Sequence, residues 1–328
     1  MTIMNAPART RPLVRKLLPW VLLAPALVWL PGRVFGLERG ILVMLVAFTP
    51  YVAVWSLIVL LIALAIRRWA AAVAAGLVAV GLAACVLPRA LPEFGDRPTG
   101  GVELRVMTAN VWFGEADAAD VVRLVRDNDV AVLALQEFTA GSAEALKAAG
   151  LAELLPHQQL APEEGASGSG LYSRYPLTDP GSRRNDGGFQ QVFGVIQPPG
   201  AAAVHVESVH PLAPAHPSVL SGWWADLREQ LPADRDRAPR ILLGDFNATL
   251  DHEALRDLID TGYRDAADAV GEGLVPTWGP YDGDLIPPVT IDHVLVDERV
   301  GVSDVEVHAV TRSDHRALYA ALTVPAAR

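Results

Sequence analysis

Cysteine is almost missing from this 328-residue chain, with Cys85 standing alone. One cysteine excludes an internal disulfide, and its place in an apolar stretch leaves the rest of the chain without thiol chemistry. Lysine is nearly as scarce. Lys16 and Lys147 are the only two, so the basic residues are almost all arginine, a compositional habit that fits a GC-rich coding sequence and carries no function. Acidic residues are thin in the first hundred positions. Glu38, Glu93 and Asp96 face ten Lys or Arg, a balance of +7 within an overall −10, leaving −17 for residues 100–328. A surplus of that size opposes a long groove for polynucleotides, whose binding rests on Lys and Arg. Internal repeats are absent, and beyond an Ala-rich run near residue 75 so are low-complexity segments.

What the first part has instead is long uncharged stretches: Leu17–Gly32, Ile41–Ile66 and Trp69–Pro88. A span needs roughly 20 apolar residues to cross about 30 Å of hydrocarbon. The reading is three transmembrane helices within residues 1–90, the first being the short one, with Pro19, Pro25 and Pro31 inside it. A cleaved signal peptide fits less well, because two more spans follow and no convincing small-residue cleavage site precedes them. Arg9, Arg11, Arg15, Lys16, Arg67 and Arg68 fall on one side of the spans, and Arg33, Arg39, Arg89 and Arg97 on the other. The positive-inside bias then predicts a cytoplasmic N-terminus, a multi-pass protein of the cytoplasmic membrane, and a domain outside it. Residues 91–102 read as a breaker-rich linker, with Pro92, Gly95, Pro98, Gly100 and Gly101, and 103–328 as the water-soluble domain.

In that domain apolar strands end again and again on polar residues. Ile241-Leu242-Leu243 stops at Gly244 and presents Asp245 and Asn247, which point the same way on a strand while Phe246 points behind. Asn110 ends the alternating run from Glu103; Glu137 follows the strand Val130–Leu135; His210 follows Ala203–Val209; Asp292 lies in Val289–Val296; Ser313-Asp314-His315 precedes Ala317–Val324. Helices are expected near Asp117–Arg126, Ser142–Ala149, Ser218–Leu231 and Glu253–Asp260, further strands at Gly170–Arg174, Gln190–Ile196 and Val305–Val310, and the mixture makes an α/β or α+β domain. Carboxylates for a hard cation, amides for phosphate oxygens and histidines for proton work thus collect at strand ends. His293 alternates with Asp292 and should face away; His157, His205, His252 and His308 carry no motif.

Thr108-Ala109-Asn110, Gln136-Glu137, Gly170–Arg174, His210, Gly244-Asp245-Phe246-Asn247, Thr277-Trp278, Ile291-Asp292 and Ser313-Asp314-His315 stand in an order that resembles the endonuclease/exonuclease/phosphatase superfamily, over nearly all of the soluble part. With three spans ahead of it, the chain is similar to the membrane-anchored bacterial branch that includes teicoplanin-resistance-associated proteins. The resemblance implies a four-layer sandwich of two packed β-sheets flanked by helices. It implies Mg²⁺, or Mn²⁺ in its place, at Glu137 with Asn110 and Asp314 nearby, oxygen donors that suit such an ion. It implies that Asp245 activates water, Asn247 and His315 bind the phosphate, Asp292 orients His315, and His210 stabilises the transition state or protonates the leaving group. One departure matters: Pro287-Pro288-Val289-Thr290 leads into Asp292 with no basic residue, where nucleases of the superfamily often place one.

The function expected is a membrane-anchored phosphoesterase acting on a lipid-linked envelope substrate, with the bilayer as partner and nucleic acid disfavoured. Within the branch resembled, a polyprenyl pyrophosphate is the substrate implied. An extracellular nuclease, a phospholipase- or sphingomyelinase-like phosphodiesterase, and a catalytically silent tethered binding protein are the alternatives. Exposed apolar loops near the site would mark the phospholipase- or sphingomyelinase-like enzyme.

Overall fold

The computed structural model describes residues 10–93, 100–280 and 285–327. Arg9, Arg97 and the middle of the expected linker lie outside the described residues. The chain divides into two compact units, Met1–Leu87 and Pro88–Arg328.

The first unit contains α1 (Thr10–Val34), α2 (Ile41–Val46), α3 (Thr49–Ala65) and α4 (Trp69–Val86). Pro19, Pro25 and Pro31 all lie inside α1. The stretch expected as one span from Ile41 to Ile66 is instead broken between α2 and α3. Proline explains the break: Pro50 has no N–H to offer the Val46 carbonyl four residues back. The Thr49 hydroxyl donates to that carbonyl in its place at 2.6 Å and accepts from Trp29 Nε1 at 2.9 Å. Among the described residues, two helical segments, Leu13–Val34 and Trp69–Ala90, are long and apolar enough to cross a membrane, and Thr49–Ala65 falls just short. The expectation of three is corrected to two by length. Leu23, Ala26 and Trp29 of α1 pack with Val59 of α3 and with Ala75, Val78 and Leu82 of α4.

The second unit holds two six-stranded sheets. Its strands are β1 (Gly101–Asn110), β2 (Val132–Gln136), β3 (His157–Ala161), β4 (Ser169–Ser173), β5 (Thr178–Arg184), β6 (Gln190–Ile196), β7 (Val204–Val209), β8 (Arg240–Asp245), β9 (Tyr263–Asp265), β10 (Asp292–Asp297), β11 (Gly301–Ala309) and β12 (Arg316–Pro325). One sheet runs β11-β12-β1-β2-β4-β3 and the other β5-β6-β7-β8-β10-β9. Helices α5 (Ala118–Asp127), α6 (Ala140–Ala148), α7 (Leu151–Leu154), α8 (Leu220–Arg228), α9 (Glu253–Ile259) and α10 (Ala266–Val270) complete it.

Val106, Val132, Ala134 and Leu171 from the first sheet meet Val206, Ile241, Leu243 and Val294 from the second in one buried core. On its other face the first sheet buries Met107, Leu133 and Leu135 against Val121, Val125 and Leu146 of α5 and α6. The layered sandwich is therefore present. Asp117 caps α5 by accepting the Ala119 and Asp120 N–H groups, which fixes that helix start as a carboxylate N-cap does. Near the site the core turns polar: Gln136 Nε2 donates to Ser208 Oγ at 3.0 Å, joining β2 to β7 across the sheets. β7 and β8 run parallel and close together, and a Cβ on Gly244 would meet the Val209 carbonyl oxygen at 1.9 Å. Only glycine fits there, so β8 can deliver Asp245 at its end.

Candidate active site

β1 and β2 are parallel, with Asn110 opposite Gln136, so Asn110 and Glu137 leave the first sheet at one edge. β8 and β10 are antiparallel in register, with Asp245 opposite Asp292. The two sheet ends meet at Asn110. Its Nδ2 donates to Glu137 Oε1 and to Asp245 Oδ2, both at 3.1 Å, and its Oδ1 accepts from the Trp112 N–H at 2.9 Å. The amide thus sets the spacing of the two carboxylates. Glu137 adopts a left-handed φ of 57° and turns its second oxygen to the Phe113 N–H at 2.8 Å. Burial raises its pKa, against hydrogen bonds from Asn110 and Phe113 that favour the anion.

Asp292 Oδ2 engages His315 Nδ1 at 2.9 Å, and His315 Nε2 faces Asp245 Oδ2 at 3.5 Å. Burial disfavours the charged imidazole, but Asp292 and Asp245 outweigh it and lift the pKa to about 10. His315 is therefore an imidazolium held between two aspartates. Burial pushes Asp245 up to about 7, a rise that His315 opposes and Asp292 adds to. A carboxyl that exchanges a proton near neutrality is matched to taking one from water. Asp245 Oδ1 accepts the Asn247 N–H at 2.8 Å. Asn247, at φ 49°, commits one amide N–H to the Pro211 carbonyl at 3.0 Å.

His210 completes the floor, with Nε2 at 3.7 Å from Asp245 Oδ2 and its ring edge-on to Phe189. Burial, then the neighbouring His315 cation, hold its pKa down at about 3, so His210 is a neutral ring. Asp314 Oδ2 accepts from Trp278 Nε1 at 2.9 Å, while its Oδ1 and Asp292 Oδ1 are buried without a hydrogen-bond partner. Every residue expected at the site is thus brought to one end of the sheets.

Sequence reading underrated Thr277. It is fully buried, and its hydroxyl accepts from both the Ile291 and Asp292 N–H groups, at 3.1 and 3.0 Å. A Thr-Trp pair before a proline-rich loop was its only signal. His293 faces away as expected, with Nδ1 against Asp265 at 2.7 Å and Nε2 against the Ala248 carbonyl at 2.8 Å. Beside Asp314 and His315 a cavity of about 460 Å³ is lined further by Trp112, Pro280, Arg312 and Arg316.

Asp245, Asp292 and His315 place ligand atoms within 4.8 Å of one another. This buried triad is one candidate set of metal ligands, joined in the absence of an ion by the Asp292–His315 hydrogen bond. Oxygen donors for a hard cation remain in Glu137 and in Asp314, which lies close enough to raise the Glu137 pKa and carries an unpartnered buried oxygen. The residues fit such an ion.

Several solved structures share the fold. An endonuclease/exonuclease/phosphatase from Beutenbergia cavernae is 19% identical, with a TM-score of 0.55 over 70% of this chain and 72% of that one. The 3′ phosphatase NExo from Neisseria, solved with a product DNA hairpin, is 23% identical, with a TM-score of 0.54 over 66% and 98%. A humanized D. rerio TDP2 is 15% identical, with a TM-score of 0.54 over 68% and 99%. Comparison with curated proteins returns no match. The family profile itself aligns with residues 107–315, from β1 to His315. With its strand-end carboxylates, its Asp292–His315 pair and that alignment, the chain belongs to the endonuclease/exonuclease/phosphatase family.

Proposed function

We propose that the protein is a membrane-anchored, Mg²⁺-dependent phosphoesterase that hydrolyses a phosphate ester or pyrophosphate bond of a lipid-linked envelope substrate. The observation that carries this is the bridge Glu137–Asn110–Asp245 set against the Asp292–His315 pair in a single buried cleft. Glu137 and Asp314 would hold the ion, with Asn110 fixing their surroundings and Mn²⁺ as the alternative metal. When bound, a divalent ion supplies positive charge against the phosphoryl oxygens.

The chain's own groups do the rest. Asp245 orients a water and takes its proton. His315, kept cationic and oriented by Asp292, offers Nε2–H to a phosphoryl oxygen, and Asn247 offers its remaining amide N–H. Preorganised donors of this kind, aimed at developing charge, supply much of the rate in such reactions. His210 contributes a neutral polar ring and no proton of an imidazolium, since burial keeps it uncharged.

Substrate choice follows from charge and context. A domain at −17, with no basic residue leading into Asp292, is poorly suited to a long polyanion. Apolar helices long enough for a membrane precede it, and α4 ends at Val86, two residues before the domain begins. The test is phosphate release by the full chain in detergent micelles with Mg²⁺, comparing a polyprenyl pyrophosphate with double-stranded DNA. Faster release from the lipid is expected, and Glu137→Ala, Asp245→Asn and His315→Ala should each lose on the order of 100-fold in kcat. DNA cleavage without release from the lipid overturns the reading in favour of a nuclease.

A further inference from the structure

Large apolar side chains are exposed at the rim of the cleft. Among the described residues of the second unit, the large hydrophobic side chains left exposed are Leu91, Phe113, Leu231, Leu285 and Ile286. Three of these five belong to two loops at the active site. Phe113 is half exposed, yet its own N–H is bonded to Glu137, and its ring lies 6.4 Å from that of Trp112 in the cavity wall. Leu285 is 98% exposed and Ile286 45%. Their loop is anchored in the site at both ends: Trp278 pairs with Val289 and with His315, and Gly279 donates its N–H to the Asp314 carbonyl. Leu285 is three positions before Pro288, so the leucine lies within roughly 10 Å of it.

Single exposed leucines are ordinary, but a clustered set around one cleft marks an interaction surface. Two guanidinium groups accompany them in the cavity wall: Arg316, whose Nη1 donates to the Gly279 carbonyl, and Arg312, which is paired with Glu115. Apolar tips around a phosphoesterase-type cleft match a layer with phosphate above hydrocarbon.

We propose that Phe113, Leu285 and Ile286 form a docking rim that inserts into a phospholipid surface, so that the cleft opens onto lipid head groups. This rests on the membrane-anchored reading above and names the partner of that same site. The occupant is a lipid surface because the chain itself carries long apolar helices, the last ending immediately before the domain; tethering makes the encounter intramolecular.

The experiment uses the full chain in nanodiscs containing anionic phospholipid. Cys85 is the only cysteine, so in a Cys85→Ala background Phe113→Cys, Leu285→Cys and, as control, Leu231→Cys each carry one nitrobenzoxadiazole probe. Probes at 113 and 285 are expected to shift to the blue and lose emission when doxyl-labelled lipid is included, while the probe at 231 does neither. No quenching at 113 and 285 overturns the proposal. If the unlabelled Leu285→Cys protein forms disulfide-linked dimers under a mild oxidant while the labelled protein is not quenched, the rim belongs to a second copy and the proposal is overturned as well. The readout is independent of hydrolysis, so a failed rim with intact release from a lipid substrate leaves the enzymatic reading standing.

Discussion

At the scale of single residues, the site depends on groups that touch no substrate. Thr277 holds Asp292 by accepting its N–H and that of Ile291, and Asp292 in turn holds His315. Thr277→Val keeps the shape but leaves two amides without an acceptor, at about 1–3 kcal/mol for each that stays dry. Urea unfolding should show a loss in that range, with kcat falling further than KM rises, and Thr277→Ser should restore both. A second residue sets acid sensitivity away from the chemistry. Burial, then Arg240 and Arg183, push the His205 pKa down to about 4. Unfolding returns it to about 6.5, so between those values the unfolded chain binds the extra proton. The contribution of a neutral His205 is whole above pH 6.5 and is lost as pH falls toward 4. His205→Phe, stacked on Phe193 as the imidazole is, should flatten the decline in stability between pH 7 and 5 by on the order of 2 kcal/mol. An unchanged slope would place the acid sensitivity elsewhere.

At the scale of elements, burial decided what the sequence could reveal. β2, β8 and β10 are buried along their whole length and stand out as apolar runs. The strands that escaped notice, β3, β5 and β9, all lie at sheet edges. β5 reads Thr-Asp-Pro-Gly-Ser-Arg-Arg and is largely exposed, so neither alternation nor propensity marks it, and an edge position is where a strand tolerates proline. Strand ends were legible for the same reason as the central strands, since a buried run that stops on Asp, Asn or Glu announces itself. What joins those ends was not. Nothing in the sequence says that Asn110 spans both sheets or that Thr277 serves two amides. Arg89 shows the same limit. Counted from sequence as a loop charge beyond the spans, it lies buried in the catalytic unit and meets Asp251 through two bonds of 2.8 and 2.6 Å. Residues just after α4 are therefore part of the domain's own structure, and Gly273 N–H to the Arg89 carbonyl confirms the seating. Arg89→Ala removes two charge-assisted hydrogen bonds from a buried carboxylate and should cost the catalytic unit up to about 3–5 kcal/mol. Adding Asp251→Ala should recover part of that, read as the urea midpoint of tryptophan emission; equal loss in both variants would mean that the pair contributes only its packing.

At the scale of the whole molecule, the open choice is the side of the membrane on which the catalysis happens, and the arrangement inside the first unit bears on it. Arg68, in the turn between α3 and α4, donates through Nε to the Arg15 carbonyl at 3.2 Å. The start of α1 and the α3–α4 turn therefore share one end of the bundle, with Arg15, Lys16, Arg67 and Arg68 gathered there. α1 runs away from that end, α3 returns to it, and α4 leaves it again. The 17 residues of α3 span about 26 Å at 1.5 Å each, near the lower limit for a hydrocarbon core of about 30 Å, and α2 before the Pro50 break adds to the return path. With four basic residues at the shared end, the positive-inside bias assigns that end to the cytoplasm. Arg89, neutralised by Asp251, no longer counts as a free charge on the opposite side. By length α3 falls short of a span, so the end of α4 is expected outside only if α3 nonetheless crosses. An alkaline phosphatase fused after Arg328 should be active, and a green fluorescent protein at the same point, exported unfolded, should be dark. A bright fluorescent fusion with an inactive phosphatase would mean that α2 and α3 enter the membrane without crossing it. The cleft would then face cytoplasmic lipids, and an envelope substrate outside the cell would be out of its reach.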